Sequence, residues 1–168
     1  RPDIAYSVGS LCRYVTRPGM RHWTAVKRCL RYLQGTAARG ITYQRGDSPD
    51  APLSLPAECD ADFAGDDDTY YSTSGYVFML AGGPVSWISK RQTVSALSST
   101  EAELAALTEA CREAIHLRRL LRERGEEQRK ATVVQEDNQS CIALALAERR
   151  KHRTRHMGSR HRFIYDLS

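Results

Sequence analysis

The chain has 168 residues, with 25 Lys and Arg against 20 Asp and Glu, a formal charge of +5, and 41% hydrophobic residues. That balance belongs to a globular chain, long enough for one core and a small appendage, and excludes a disordered one. No run of about 18 apolar residues occurs, which excludes a transmembrane helix. The sequence opens on Arg1 without a charged-then-apolar leader and reads as a piece of something longer.

Residues 1 to about 35 read as two helices separated by Pro18-Gly19. The second carries Trp23, Val26, Leu30 and Leu33 at helical spacing, with Arg21, Lys27, Arg28 and Arg31 on other faces. Trp23 and Trp87 are expected as core anchors. Gly40-Ile41-Thr42-Tyr43 is a candidate strand, and Gly46 to Pro56, with Pro49, Pro52 and Pro56, is the linker candidate. The boundary is set there, giving a helical segment over 1–48 and a second domain over 49–168.

Beyond the linker the pattern turns to strands. Leu53 to Cys59 is the first. Gly75–Leu80 and Pro84–Ser89 flank Ala81-Gly82-Gly83, a hairpin signal. A long helix opens at Ser99 or Thr100, with Glu103 placed as in a capping box. Its stripe runs Leu104, Leu107, Cys111, Ala114/Ile115, Leu117, Leu120 and Leu121, and Gly125 ends it. A fourth strand is expected over Ala131–Glu136, a helix over Asn138–Ala147, a short fifth strand around Thr154–Met157, and a last helix from Ser159. A three-stranded meander continued through helical crossovers is an α/β fold with a mixed five-stranded sheet flanked by helices.

Charge is segregated along this frame. Glu58, Asp60, Asp62, Asp66, Asp67 and Asp68 form a stretch without a base. Arg149 to Arg162 holds seven Arg or Lys and three His without an acid. One patch suits a divalent cation and the other a phosphate backbone, unless the two are solvated loops that offset each other. Asp60, Glu103 and Asp137 sit at expected element ends. Carboxylates brought together there repel unless a cation neutralises them, and hard oxygen donors point to Mg²⁺ or Mn²⁺. Each also has a local alternative: Asp137 as a helix cap, Glu103 as a capping-box acid, Asp66 to Asp68 as a solvated turn. Ser72, Thr73 and Ser74 are candidates for backbone contact with nucleic acid or for turn formation. His156 and His161 are candidates for proton shuttling or substrate contact, or simply polar residues of an Arg-rich surface, the reading favoured here. Cys12, Cys29, Cys59, Cys111 and Cys141 lack any CxxC pairing, which favours buried free thiols in a reducing, intracellular compartment over disulfides or zinc. A DNA-reading transcription factor is excluded by the absence of a helix-turn-helix or zinc signature.

The segments Cys59-Asp-Ala-Asp-Phe-Ala-Gly-Asp66, Ser72-Thr-Ser-Gly-Tyr-Val-Phe78, Pro84-Val-Ser-Trp-Ile-Ser-Lys90, Ala96-Leu-Ser-Ser-Thr-Glu-Ala-Glu103 and Asp137-Asn-Gln-Ser140 resemble the ribonuclease H domain of Copia-type LTR retrotransposon Pol polyproteins. Arg1-Pro-Asp-Ile4 and the helix from His22-Trp23 to Gly35-Thr36 resemble the segment that joins reverse transcriptase to it. The resemblance implies a ribonuclease H-like fold that cuts the RNA strand of RNA/DNA hybrids with two Mg²⁺, for which Mn²⁺ can substitute. It assigns Asp60, Glu103 and Asp137 as catalytic metal ligands, with Glu101 the competitor of Glu103. Ser72, Asn138, Arg153, Arg155 and Arg160 are the expected nucleic-acid contacts. The implied partners are the hybrid and the reverse transcriptase domain of the same polyprotein, with no membrane and no small-molecule cofactor, in a cytoplasmic retroelement particle.

The chain departs from the family at one place. Where the pattern Arg-Thr-Lys-His-Ile-Asp supplies a fourth carboxylate, this chain has Gly158, in Arg153-Thr-Arg-His-Met-Gly158. Ser159 is a poor substitute, and Asp166 lies about 12 Å further along a helix at 1.5 Å per residue. The expectation is strongly impaired hydrolysis with fold and hybrid binding retained.

Overall fold

The computed structural model describes residues 1–44, 53–66, 68–148 and 157–168. After a 3-10 turn at Pro2–Ile4 come α1 (Ala5–Cys12), α2 (Met20–Gly35), β1 (Ala57–Asp62), β2 (Thr73–Leu80), β3 (Gly83–Arg91), α3 (Ser99–Glu123), β4 (Val134–Gln135), α4 (Gln139–Ala145) and α5 (Gly158–Tyr165). Among the described residues the mixed sheet has four strands in the order β3-β2-β1-β4, with β4 parallel to β1 and the other pairs antiparallel. The expected fifth strand at 154–157 lies outside the described residues except for Met157, which is the N-cap of α5. No helix among the described residues is long and apolar enough to cross a membrane.

Strand β1 alternates strictly: Ala57, Cys59 and Ala61 point inward, and Glu58, Asp60 and Asp62 point outward. The inward residues are small, so α3 approaches closely. Ala61 packs against Ala102 and Ala106 at the start of that helix. Further along, Phe78, Leu55 and Ala57 meet Ala114 and Leu117, and a second cluster joins Cys59, Leu104 and Leu107 to Cys141, Met157 and Ile164. The stripe expected on α3 is buried at Leu104, Leu107, Ala114 and Leu117, but Ile115 and Leu120 are exposed. The β2–β3 hairpin turns on Ala81 and Gly82, both at positive φ, the geometry of a type I′ turn. Gly83 already belongs to β3.

The N-terminal segment departs most from expectation. Both α1 and the 3-10 turn pack on β3. No residue of α2 is buried, and Trp23 is 53% exposed rather than a core anchor. Gly40–Tyr43 forms no strand; it lies along the hairpin, where the Gln44 N–H donates to the Ala81 carbonyl and the Tyr43 hydroxyl to that of Pro84. The linker expected over Gly46–Pro56 falls mostly outside the described residues. Asp66, expected in a solvated turn, is 4% exposed. It accepts from Arg13 at 2.6 Å, Arg91 at 3.2 Å and the N–H groups of Asp68 and Thr69, while the Tyr14 hydroxyl donates to Asp68. Burial disfavours its charge, but these donors outweigh that and hold the carboxyl down at about 2. The post-β1 loop thus clamps α1 to the sheet.

Candidate metal centre

Asp60 lies inside β1, opposite Gly75 of β2, rather than at the strand's end. The parallel pairing sets Ala57 against Val134 and Glu58 against Gln135. Carried two residues on, the same register brings Asp137, just past the short β4, level with Asp60. Glu103 comes from the first turns of α3, which the Ala61–Ala102 contact holds against β1.

Two caps decide which acids are free for this site. The N-cap of α3 is Ser98, one residue before the expected position, and its hydroxyl accepts from the Glu101 N–H. Glu101 is therefore the third helical residue, and its carboxylate folds back to accept the Leu97 N–H at 2.8 Å. Capping takes Glu101 and leaves Glu103. At α4 the cap is Asn138, whose Oδ1 accepts from the Cys141 N–H at 3.0 Å, so Asp137 is not used as a cap.

One carboxylate oxygen from each of Asp60, Glu103 and Asp137 lies within 4.8 Å of the other two. Asp60 and Asp137 are exposed, whereas Glu103 is 6% exposed and its Oε2 has no hydrogen-bond partner. Burial, then the charges of Glu136, Asp60 and Asp137, push the Glu103 carboxyl up to about 7 against the pull of the Ala61 N–H. A buried acid with an unpartnered oxygen, grouped with two exposed carboxylates, fits a hard divalent cation. Cys59 offers no competing thiolate, because burial pushes its thiol far up.

The other expected contacts divide. Ser72 is 0% exposed and accepts from the Ala64 N–H at 3.1 Å, so its hydroxyl holds the turn after β1 and faces no ligand. Ser74 is buried and accepts from the Gln92 side-chain amide. Arg160 lines a small groove with Lys90, Gln92 and Glu109. Arg153, Arg155 and His156 lie outside the described residues. His161 is a core residue, 3% exposed, bonded through Nε2 to the Ala147 carbonyl; the Arg-rich run around it gave no hint of this. Of the thiols, Cys59 and Cys141 are buried and Cys12 is exposed, and all five are free. Two features escaped the sequence reading. A groove of about 660 Å³ on the outer sheet face joins Asp60 and Asp137 to Val77, Trp87 and, from the N-terminal segment, Tyr6. Glu136 lines the same groove and lies against the Cys59 thiol; strand alternation placing it beside Cys59 is the signal that could have found it.

Across 167 residues, 99% of its length, the chain is 44% identical to the retrovirus-related Pol polyprotein from transposon TNT 1-94 of Nicotiana tabacum. The chain is a homologue of transposon-encoded, retrovirus-related Pol polyproteins. It spans 12% of the tobacco polyprotein and 11% of the one from transposon RE2 of Arabidopsis thaliana, to which it is 39% identical over 164 residues. This Pol homologue also shares a family with a Plasmopara viticola protein named secreted RxLR effector protein 161, at 49% identity over 117 residues, 70% of this chain and 80% of that protein. No protein-family model matches.

Proposed function

We propose that the chain is the ribonuclease H domain of a Copia-type retroelement polyprotein, hydrolysing the RNA strand of RNA/DNA hybrids during reverse transcription. The observation that carries this is the convergence of Asp60, Glu103 and Asp137 oxygens within 4.8 Å. Homology to Pol polyproteins along almost the whole chain supports the retroelement setting. Asp60, Glu103 and Asp137 would hold two Mg²⁺ or Mn²⁺, which when bound would supply activation of a water and charge stabilisation at the departing oxygen of the phosphodiester. Glu103, buried in the first turns of α3, anchors the site from beneath. Asp60 and Asp137 stand in the open groove and face the strand to be cut. Asn138 fixes the start of α4 and so the position of Asp137. Arg153, Arg155 and Arg160 hold the phosphate backbone. Pairing with the reverse transcriptase domain of the same polyprotein belongs to this reading.

Gly158 favours a second reading, in which the same fold holds or braces a hybrid without cutting it. Cleavage of a labelled RNA/DNA hybrid with Mg²⁺ or Mn²⁺, by the chain, by Asp60→Asn and by Gly158→Asp, separates the two. Cutting by the chain and not by Asp60→Asn supports the enzyme. Cutting only by Gly158→Asp establishes the disarmed module.

A further inference from the structure

We propose that α2 is a second nucleic-acid contact of this chain, holding the phosphate backbone of the hybrid beyond the carboxylate groove. The class of ligand rests on the proposed function; the place rests on charge and packing in the N-terminal segment.

Between Asp3 and Asp47 the sequence holds eight Lys and Arg and no acid. The rest of the chain has 17 Lys and Arg against 20 acids, so the whole positive excess lies in this segment. Lys27, Arg28 and Arg31 of α2, with Arg17 and Arg39 to either side, are exposed, and their side chains make no hydrogen bond or ion pair among the described residues. Exposed arginines elsewhere do find acids: Arg112, Arg119 and Arg162 each pair with one three or four residues away. Arg31 instead stands four residues after Lys27 and three after Arg28, the spacing at which like charges destabilise a helix. A polyanion laid across α2 relieves that repulsion and gains by releasing its own counterions.

Packing joins this helix to the site. The 3-10 turn and α1 pack on β3, and α2 packs on α1. Tyr6 of α1 lines the groove that holds Asp60 and Asp137, and it also lines a cleft of about 530 Å³ between α1 and α2 that reaches Arg28. A continuous surface therefore runs from the acids past Tyr6 to the basic helix. Exposed Trp23 and Leu30 flank Lys27, but a segment without acids is matched by a polyanion rather than by a protein surface of mixed charge.

The test is binding of a fluorescently labelled RNA/DNA hybrid by the whole chain in EDTA, followed by anisotropy across a salt series. Lys27→Gln/Arg28→Gln/Arg31→Gln is compared with Arg122→Gln/Arg124→Gln/Arg129→Gln, an equal loss of charge from exposed positions at and beyond the end of α3. Glutamine has a helix propensity close to that of Lys and Arg, and thermal melts check the fold. The α2 variant should bind about 10-fold or more weakly near 0.1 M salt, with a slope of log K against log salt shallower by about 2–3. The α3 variant should change both far less. Equal effects of the two variants overturn the proposal, because net charge alone then explains them. Unchanged affinity and slope overturn it too, and leave α2 to a protein partner; in both cases hybrid binding and the proposed function stand. If the α2 variant does not melt like the parent, Lys27→Gln alone carries the test, with an expected slope change of about 1. If the parent binds no hybrid at any salt, with EDTA or with Mg²⁺, this inference and the proposed function fall together.

Discussion

Glu103→Gln should stabilise the metal-free protein at alkaline pH, which runs against the ordinary effect of changing a buried residue. Glu103 is held up at about 7 against an ordinary value of 4.5. Its raised value means that folding favours the protonated form. The stability linked to Glu103 is complete below about pH 4.5 and is lost as pH rises through about 7. At about 1.4 kcal/mol per pKa unit the ceiling is roughly 3 kcal/mol. Asp60 and Asp137 stand exposed beside it, and solvent screening reduces that to about 1–2 kcal/mol. Glutamine resembles the protonated acid and escapes the penalty. In EDTA at pH 8, Glu103→Gln should therefore melt roughly 2–8 °C higher than the parent chain, and the gap should close near pH 5. Millimolar Mg²⁺ should reverse the order, because only the parent gains a bound cation. Thermal melts by circular dichroism at the two pH values, with EDTA or Mg²⁺, test this directly. A variant that is less stable than the parent in EDTA at pH 8, or a gap independent of pH, refutes the reasoning.

Asp66→Asn should release the N-terminal segment from the sheet. It removes a buried partner of Arg13 and Arg91, costing about 2–3 kcal/mol in urea denaturation and speeding tryptic cleavage after Arg13 and Arg17. Asn138→Ala should cost about 1 kcal/mol as a lost helix cap. Because it also loosens the turn that aims Asp137, Mn²⁺ affinity measured by calorimetry should fall with it; unchanged affinity would show that Asp137 is placed by β4 alone.

The parts of this molecule legible in the sequence are those set by local pattern. The β2–β3 hairpin, the stripe of α3 at Leu104, Leu107, Ala114 and Leu117, and the helix after Asn138 all follow from spacing and turn chemistry. What escaped depended on a choice between near-equal neighbours or on distant partners. Ser98, Ser99 and Thr100 can each cap a helix, and the one that does so decides whether Glu101 or Glu103 is used in capping. Periodicity carries no information on that choice. Asp66 read as a solvated acid because its partner Arg13 lies 53 residues away. Trp23 sits on a good helical stripe, yet α2 finds no surface to bury it among the described residues. The site was legible residue by residue, since a carboxylate at a strand end or helix start is visible in sequence. Its depth was not: the Ala61–Ala102 contact that brings α3 near β1 is a tertiary fact.

The most direct test of the account is anomalous diffraction from crystals of the chain grown with an RNA/DNA hybrid and Mn²⁺. The account predicts manganese in contact with oxygens of Asp60, Glu103 and Asp137, beside a phosphate of the RNA strand. Manganese absent from those three carboxylates, with the hybrid bound elsewhere on the molecule, would contradict it.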